Sequence, residues 1–255
     1  MTDKKLQDRV AIVTGGGSGF GEGIAKLFAE LGAKVVVADW RMDAAERVAA
    51  EIEAAGGKAI PVHADVTKNE SVGAMVAATV KHYGRLDILI NNAGTTHKNQ
   101  SMLEVDEATF DRVYATNVKS IYLGAIHAVP LFKQQRSGVI INIASTAGLR
   151  PRPGLSWYAG TKGAAITLTK GMAIELAPDG IRVCAINPVM SPTGLIQDFL
   201  PGEDSAETRA RIIATIPMGR MSTPLDIAKA TAFLASDDAE FITGVALEVD
   251  GGRCI

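Results

Sequence analysis

Short runs of apolar residues recur along the 255-residue chain, and segments with helical periodicity separate them. The runs are rich in Val and Ile, and they are continuously apolar instead of alternating with polar residues. Such runs are typical of strands that are buried on both faces, as in a parallel sheet covered by helices. We therefore predict seven strands, at residues 9–14, 33–39, 57–65, 86–92, 138–145, 181–187 and 244–252.

The segment between the first two predicted strands has the period of an α-helix. Ile24, Leu27, Phe28 and Leu31 occupy one face of a helix that ends before Gly32. A strand, a helix and a parallel strand form a βαβ unit, and this rhythm repeats along the chain. The pattern predicts a single α/β domain, with a doubly wound sheet of about seven parallel strands and helices on both of its faces.

Composition and charge exclude several classes of function. Hydrophobic residues make up 47% and charged residues 21% of the chain, and the formal net charge is −2. No basic excess indicates binding to nucleic acid or to an acidic membrane surface. No apolar run approaches the roughly 20 residues that span a bilayer, and the polar N-terminus is unlike a secretion signal. We expect a cytoplasmic protein that binds neither nucleic acid nor membranes.

Cysteine and histidine are too few and too scattered to form a disulfide framework or a metal site. Cys184 lies in an apolar run and Cys254 lies near the end of the chain, without a metal-ligand spacing. The histidines form no HExxH motif and stand at positions 63, 82, 97 and 127. We interpret both cysteines as reduced thiols and expect no metal.

The first predicted strand continues directly into the glycine-rich segment TGGGSGFGEG. A glycine-rich turn between a strand and a helix lets backbone N–H groups and the helix N-terminus approach a phosphate closely. The segment does not fit GxGxxG and has no lysine of a nucleoside triphosphate loop. It fits TGxxxGxG, with Thr14, Gly15, Gly19 and Gly21. The second predicted strand ends at Asp39, where a carboxylate accepts hydrogen bonds from an adenosine ribose.

A phenol and an amine lie one helical turn apart in SWYAGTKG, at Tyr158 and Lys162. Taken alone, this spacing is also typical of a solvated pair on an amphipathic helix. A free tyrosine has a pKa of about 10, which is too high for a base at neutral pH. A nearby ammonium stabilises the phenolate, so we expect Lys162 to lower the pKa of Tyr158.

Six motifs resemble those of the short-chain dehydrogenase/reductase family, in its single-domain, NAD(P)-dependent branch, and they follow one another along the chain in the order typical of that family. Besides TGxxxGxG and YAGTK, they are NNAG at 91–94, Asn117 in a predicted helix, Ser145 after the fifth predicted strand, and NPVMSPT, which is similar to NPGxxxT. The resemblance covers essentially the whole chain and implies a Rossmann-type fold. The chain departs from the family at Val189, which replaces the glycine of NPG, and also at Phe20 and Gly160, but no reacting group is lost.

The resemblance implies a catalytic tetrad and a reaction. Tyr158 would transfer the hydroxyl proton while hydride moves between the substrate carbon and nicotinamide. Lys162 would lower the pKa of Tyr158 and hold the nicotinamide ribose, Ser145 would bind the reacting oxygen, and Asn117 would help to hold a water-linked proton relay. The implied reaction interconverts a secondary alcohol, on a small molecule, polyol or sugar, and its carbonyl.

The resemblance also implies that the cofactor is NAD and indicates its contacts. Asp39 accepts from both ribose hydroxyls of NAD and would repel the phosphate of NADP. Arg41 opposes this assignment because it has the length to reach that phosphate, but Ser18 supplies no second cation. The implied cofactor contacts are Gly15, Ser18, Gly19, Phe20, Gly21, Asp39, Trp40, Asp65, Val66, Asn92, Ala93, Gly94, Tyr158, Lys162, Pro188, Val189 and Thr193.

The substrate contacts and the organisation of the chain follow less directly. The substrate candidates are His97, which an ordinary loop histidine would also explain, Met190, and Arg150 and Arg152. Either arginine can pair with a carboxylate, phosphate or sulfonate, and both can equally be solvated loop residues. We expect a cofactor-binding half at about 1–140, and a catalytic and substrate half at about 141–255 with a helical lid at about 189–222.

Two other functions and one assembly remain open at this point. A 3-oxoacyl thioester (acyl-carrier-protein) reductase shares the catalytic motifs, but that role usually uses NADPH. A non-catalytic NAD-binding regulatory protein would have no reason to keep the tetrad. The resemblance further implies a homotetramer, formed by the helices that carry Asn117 and Tyr158 and by the C-terminal segment. Small residues that permit close helix approach are Gly163, Ala164, Gly171 and Ala173.

Overall fold

The computed structural model describes residues 4–192, 194, 196–200 and 202–255. Its strands are β1 (Val10–Thr14), β2 (Lys34–Asp39), β3 (Lys58–His63), β4 (Ile88–Asn91), β5 (Gly138–Ile143), β6 (Ile181–Pro188) and β7 (Ala246–Val249). They form one parallel sheet in the order β3-β2-β1-β4-β5-β6-β7. Each predicted strand matches one of these strands, with β6 extending one residue further to Pro188, so the doubly wound α/β architecture is confirmed.

Helices cover both faces of this sheet. The α-helices of the described residues are α1 (Gly19–Glu30), α2 (Met42–Ala54), α3 (Asn69–Tyr83), α4 (Glu107–Tyr114), α5 (Ser120–Gln135), α6 (Ser156–Leu176), α7 (Ile196–Phe199), α8 (Ala206–Ile213) and α9 (Pro224–Ala235). Short 3₁₀ turns lie at Met102–Glu104, Thr146–Gly148, Ala177–Asp179 and Asp237–Ala239, and a π-helical turn lies at Ala115–Lys119. The predicted first helix ends as expected, before Gly32.

The strands bury side chains on both faces, which explains their continuously apolar sequences. In β1, Val13 packs in a core with Phe28 of α1, and α2 and α9 cover the same face. Ile12 points to the opposite face, where it packs in a second core with Phe132 of α5, beside α3 and α6. Adjacent residues of one strand therefore belong to different cores, as the period of two in a strand requires.

The sheet reverses its direction of growth at β1 and β4, and their carboxyl ends open a crevice. Thr14 closes the base of this crevice. Its Oγ1 donates to the carbonyl of Ile90 at 3.1 Å and accepts from the amides of Asn92 at 3.0 Å and Ala93 at 3.1 Å. In return, Nδ2 of Asn92 donates to the carbonyl of Thr14 at 2.8 Å. The two predicted motifs TGxxxGxG and NNAG are thus joined by hydrogen bonds at the switch point.

The segment predicted as a helical lid contains two short helices and a small apolar cluster of its own. The helices are α7 and α8, and the cluster consists of Ile196, Leu200, Ile212 and Met221. Within the described ranges, no helix is both long and apolar enough to cross a membrane. The same ranges hold no group of three or more His, Cys, Asp or Glu side chains arranged to bind a metal ion.

Candidate active site

A cavity of about 830 Å³ opens at the carboxyl ends of the strands. It extends from the glycine-rich loop after β1 to the loop between β5 and α6 and to the segment after β6. The residues predicted from the sequence that line this cavity are Gly15, Ser18, Gly19, Phe20, Asp39, Trp40, Asp65, Val66, Asn92, Ala93, Gly94, Ser145, Arg150, Arg152, Tyr158, Lys162, Pro188, Val189 and Met190.

Of the other predicted site residues, Gly21, Asn117 and His97 are not part of this lining. Gly21 lies behind the loop, where a Cβ would be 2.1 Å from the carbonyl oxygen of Gly15, so its role is to let α1 pack closely. Asn117 and His97 are both 3% exposed and are held by hydrogen bonds described below. Thr193 lies outside the described residues.

The glycine-rich loop has the geometry of an anion cradle. Gly15 and Gly19 have φ angles of +62° and +57°, in the left-handed region that favours glycine. Ser18 precedes α1 and makes no side-chain hydrogen bond to it. The first N–H groups of the helix are therefore left to the cavity side, together with the positive end of the helix dipole. This loop fits the pyrophosphate of a dinucleotide.

The carboxylate of Asp39 lies beside this loop and is 5% exposed. Its Oδ2 accepts from the amide of Gly17 at 2.9 Å, and its Oδ1 accepts from the amide of Arg41 at 3.0 Å. Each carboxylate oxygen has further lone pairs, so both oxygens can still accept from a ribose hydroxyl. Trp40 is 71% exposed at the same rim, where its ring offers a flat surface. These residues fit the adenosine end of a dinucleotide.

Tyr158 lies in the first turn of α6 and is 7% exposed. Burial raises the pKa of Tyr158 to about 12, and a hydrogen bond from the hydroxyl of Ser145 opposes this rise. Ser145 is itself fixed, because its Oγ accepts from the amide of Ala147 at 3.1 Å. In the protein without ligands, desolvation of the phenolate outweighs the lowering of the Tyr158 pKa that the sequence predicts from Lys162.

The ammonium of Lys162 is directed toward the backbone of β5 and the cavity and makes no hydrogen bond with the phenol of Tyr158. Its Nζ donates to the carbonyl of Ile143 at 2.9 Å and lies 5.7 Å from the centroid of the Tyr158 ring. Burial lowers the pKa of Lys162 to about 8. A Cβ at Gly94 would lie 3.6 Å from this Nζ, so glycine at that position lets the turn after β4 pass close to the ammonium.

Asn117 lies in the π-helical turn between α4 and α5 and joins two parts of the site. Its Oδ1 accepts from the amide of Thr95 at 2.9 Å. Its Nδ2 donates to the carbonyl of Thr95 at 2.8 Å and to Oγ1 of Thr161 at 3.0 Å. The side-chain amide therefore holds the turn after β4 against α6. Both of its N–H groups are committed to protein partners, while Oδ1 keeps a second lone pair, so the side chain positions the two elements that it joins.

His97 supports α6 from behind instead of facing substrate. Its Nδ1 lies 2.8 Å from the carbonyl of Lys98, which requires a hydrogen on that nitrogen. Its Nε2 then accepts from the amide of Tyr158 at 3.4 Å. Leu155, the residue before α6, offers no side-chain cap, so His97 satisfies one free amide of the first turn. The structure does not support the prediction that His97 contacts substrate.

Several cavity residues were not found by the sequence analysis. Arg253, near the C-terminus, is the most notable of them, with Arg112 and Thr116. Arg253 reaches the cavity because β7 is hydrogen-bonded to β6, so that the carboxyl end of β7 opens onto the same cavity. The pattern of apolar runs in the sequence does not give this strand order, so it could not predict Arg253.

Comparison with known proteins identifies relatives along nearly the whole chain. A family model described as enoyl-(acyl carrier protein) reductase matches residues 15–253. The chain is 51% identical over 250 residues to 4-formylbenzenesulfonate dehydrogenase TsaC1/TsaC2 of Comamonas testosteroni, with 98% of this chain and 99% of that protein covered. It is 39% identical over 249 residues to 2-(S)-hydroxypropyl-CoM dehydrogenase 3 of Xanthobacter autotrophicus, with 97% of each covered.

A solved structure agrees with this fold. The crystal structure of 3-ketoacyl-(acyl-carrier-protein) reductase from Brucella melitensis complexed with NADH matches with a TM-score of 0.92 and 48% sequence identity, covering 98% of this chain and 100% of that chain. The fold, the cavity and these matches define an oxidoreductase that acts on CH–OH groups with a nicotinamide cofactor. The chain belongs to the short-chain dehydrogenase/reductase family.

The buried ammonium predicts how stability depends on pH. The pKa of Lys162 is about 8 in the folded protein, against 10.5 for an ordinary lysine. Between these values the unfolded chain binds more protons than the folded one, so the free energy of unfolding rises with pH. We expect wild type to gain about 2 kcal/mol relative to Lys162→Met between about pH 7 and about pH 9.5. Urea unfolding of both proteins without cofactor measures this, and a difference that stays constant over the interval contradicts it.

Proposed function

We propose that this protein is an NAD-dependent dehydrogenase that interconverts a secondary alcohol and its carbonyl. The observation that carries the proposal is the hydrogen-bonded pair of Ser145 and Tyr158, which lines one cavity with Lys162 and the glycine-rich loop. The relatives support the class of substrate. One is named for a hydroxypropyl group and another for a formyl group, and both names describe a carbon that bears the oxygen of an alcohol or a carbonyl.

In this proposal the side chains hold the reacting oxygen and its proton. A nicotinamide ring, when bound, supplies the exchange of hydride that no side chain can provide. Tyr158 gives its hydroxyl proton to the substrate oxygen in reduction and removes that proton in oxidation. Ser145 donates a hydrogen bond to the same oxygen. Lys162 holds the nicotinamide ribose with the N–H groups that Ile143 does not use, and Asn117 keeps the turn after β4 in contact with α6.

The charge state of Tyr158 sets the preferred direction of proton transfer. With a pKa of about 12 in the free protein, the phenol keeps its proton at neutral pH and is ready to act as an acid. To act as a base, Tyr158 needs added positive charge nearby. The ammonium of Lys162, whose Nζ lies 5.7 Å from the centroid of the Tyr158 ring, supplies part of that charge. At this distance the ammonium still stabilises the phenolate, because charges interact strongly in a buried site.

Asp39 supports NAD over NADP. Its carboxylate is anchored by two backbone amides, and it would meet the doubly charged phosphate of NADP at close range. Arg41 is exposed at the cavity rim and opposes this choice. Ser18, in the glycine-rich loop, adds no second cation. We therefore propose that the repulsion from Asp39 outweighs the attraction of one solvated guanidinium.

The alternative of a 3-oxoacyl thioester reductase is supported by one solved relative, a 3-ketoacyl-(acyl-carrier-protein) reductase. Its catalytic residues would be the same, so only the substrate decides between the two. The two functions are separated by comparing the rate of acetoacetyl thioester reduction with the rate of secondary alcohol oxidation at equal cofactor concentrations. A non-catalytic regulatory protein is disfavoured because Ser145, Tyr158 and Lys162 share one cavity with the cofactor loop.

The proposal extends to the organisation of the chain. We assign the cofactor to residues 1–140 and the substrate to residues 141–255, within one domain, with residues 189–222 as a lid. The aromatic ring of Phe199 in α7 packs on Tyr158, with centroids 5.1 Å apart, and the amide of Asn99 donates to the carbonyl of Asp198 at 2.8 Å. These contacts support a lid that covers the reacting group. We assign the protein to the cytoplasm, where its two free cysteines would stay reduced.

We also propose a homotetramer. Support comes from large apolar side chains exposed on α5 and α6, among them Tyr122 at 59% and Ile174 at 81%, and from Phe241 near the C-terminus at 101%. Gly171 has nothing within 4 Å of the place where its Cβ would be, which leaves room for a second chain. Ala173 does not contribute to this surface, because it is buried in the core of its own chain.

Replacement of Tyr158 by phenylalanine removes the proton donor but preserves the ring. We expect kcat to fall by more than about tenfold, a barrier increase above about 1.4 kcal/mol, because no other group transfers the proton at the reacting oxygen. NADH affinity, measured by fluorescence titration, should stay within about twofold. Tyr122→Phe, on the exposed face of α5, is the matched control. Retained kcat in Tyr158→Phe would contradict the assigned role.

The cofactor preference is tested with Asp39→Asn. Wild type should favour NAD over NADP by more than about a hundredfold in kcat/KM, since like charges a few Å apart cost several kcal/mol at an effective dielectric near 20. In Asp39→Asn this ratio and the ratio of reduced-cofactor dissociation constants should both narrow by at least about tenfold. Asp43→Asn, in the first turn of α2, controls for net charge. A wild type that prefers NADP would overturn the assignment and favour the thioester reductase.

The assembly is tested by light scattering on the 26.7 kDa chain. We expect the mass of four chains at micromolar concentration, because the exposed apolar residues of α5 and α6 need cover from water. Ile174→Glu should lower the measured mass by adding a charge to this exposed apolar surface. A monomeric wild type would remove the proposal of a tetramer, and an Ile174→Glu protein that remains tetrameric would contradict the assigned surface.

A further inference from the structure

Positive charge surrounds the substrate end of the cavity. The acidic residues that line the described cavity are Asp39 and Asp65, which lie after β2 and β3. At the other end, after β4, β5 and β7, the lining is basic. The arginines found there are Arg112, Arg150, Arg152 and Arg253.

Two of these arginines are occupied by neutral acceptors of the protein. Arg112 donates through Nη1 to Oγ1 of Thr95 at 2.7 Å and through Nη2 to the carbonyl of Thr96 at 3.2 Å. Arg150 donates through Nη1 to the carbonyl of Arg253 at 2.7 Å. Arg150 therefore positions the C-terminal turn, and its guanidinium is partly committed to that task.

The other two have no acceptor within the described parts of the chain. Nε and Nη1 of Arg253 are buried and make no hydrogen bond there. Arg152 likewise has neither an ion pair nor a hydrogen bond to a described residue, and burial together with the charges of Arg253 and Arg150 lowers its pKa. Two desolvated guanidinium groups that repel each other destabilise the folded protein, and an anion that binds to both of them offsets this destabilisation.

The turn that carries Arg253 is rigid enough to present a binding group. After β7, the carboxylate of Asp250 accepts from the amides of Gly252 at 2.9 Å and Cys254 at 2.8 Å. Gly252 adopts a φ of +86°, which favours glycine. Because Asp250 is directed at this backbone, it forms no ion pair with Arg253 between described atoms. The backbone that carries Arg253 is therefore held in position, while its guanidinium forms no ion pair with a described residue.

We propose that Arg152 and Arg253 form a subsite for an oxyanion on the substrate, a sulfonate or a carboxylate, at the end of the molecule remote from the reacting carbon. This inference rests on the proposed function and names its substrate class. Two guanidinium groups supply parallel N–H donors that match the oxygens of either anion. Leu155, Met190 and Phe199 line the same cavity, so the part of the substrate between its reacting carbon and its anion is apolar.

The proposed subsite refines the prediction made from the sequence, in which Arg150 and Arg152 are equivalent candidates on one loop. In the proposal Arg152 acts together with Arg253, which lies on a different element, while Arg150 donates to the C-terminal turn. An isolated loop arginine is usually solvated, whereas two unpaired guanidinium groups from separate elements that meet in a cavity indicate a ligand.

The test compares two secondary alcohols that differ only in charge, 4-(1-hydroxyethyl)benzenesulfonate and the corresponding neutral sulfonamide. In wild type, kcat/KM should favour the sulfonate by at least about tenfold. In Arg253→Met and, separately, in Arg152→Met, this ratio should fall by at least about tenfold, since Met keeps an apolar stem but no N–H donor. Arg136→Met, at an exposed arginine that ends α5, should leave the ratio unchanged. Equal kcat/KM for both alcohols in wild type would overturn the subsite.

A binding measurement separates failure of the subsite from failure of the proposed function. Calorimetric titration of benzenesulfonate into the NADH-bound protein needs no turnover. We expect a Kd at least about tenfold weaker in Arg253→Met and Arg152→Met than in wild type, with Arg136→Met unchanged. If neither alcohol is oxidised but this pattern holds, the proposed reaction fails and the anion subsite stands. If benzenesulfonate binds wild type and both variants equally, the subsite is overturned.

Discussion

The hydroxyl of Thr14 joins the carboxyl ends of β1 and β4, and the rest of the site is built outward from that joint. The hydroxyl donates a hydrogen bond to the carbonyl of Ile90 in β4, and it accepts hydrogen bonds from the amides of Asn92 and Ala93, the first two residues of the turn after β4. The turn then brings Gly94 close to Lys162 and Asn117. On the other side the chain leaves Thr14 directly into the glycine-rich loop. A single side chain therefore fixes the glycine-rich loop relative to Lys162.

The same burial that fixes these groups also controls their protonation. Desolvation moves the pKa of Tyr158 upward to about 12 and that of Lys162 downward to about 8, so each group is driven toward its neutral form. Two pKa units for the phenol correspond to about 3 kcal/mol. An added positive charge acts on this phenol with little screening, because water is largely excluded. The site is consequently more sensitive to what binds in it than an exposed pair of the same residues would be.

Much of this organisation follows from the sequence, and the remainder depends on geometry that a sequence pattern does not contain. Continuous apolar runs predicted the strands because both faces of the sheet are covered, and glycine spacing predicted the loop because φ near +60° is demanded at Gly15 and Gly19. The role of His97 was not predictable, since its ring is held by a carbonyl of its own loop and an amide of α6. The rise in the pKa of Tyr158 was missed for a related reason. Sequence gives the neighbour at one helical turn, but it does not give the depth of burial.

The charges along the cavity follow the order of the strands. Acidic residues occur where β2 and β3 end, on the side that suits hydroxyl groups of a ribose, and unpaired cations occur where β5 and β7 end. The chain places Arg152 and Arg253 far apart in sequence, and only the adjacency of β5, β6 and β7 brings their loops to one edge of the sheet. A parallel sheet gathers all its carboxyl-end loops at one edge, so it can vary the charge at one end of the cavity without disturbing the other. In the proposed reaction Tyr158 acts between these two ends. Under that proposal, substrate choice would change through residues of the C-terminal turn while the proton-transfer groups stay the same.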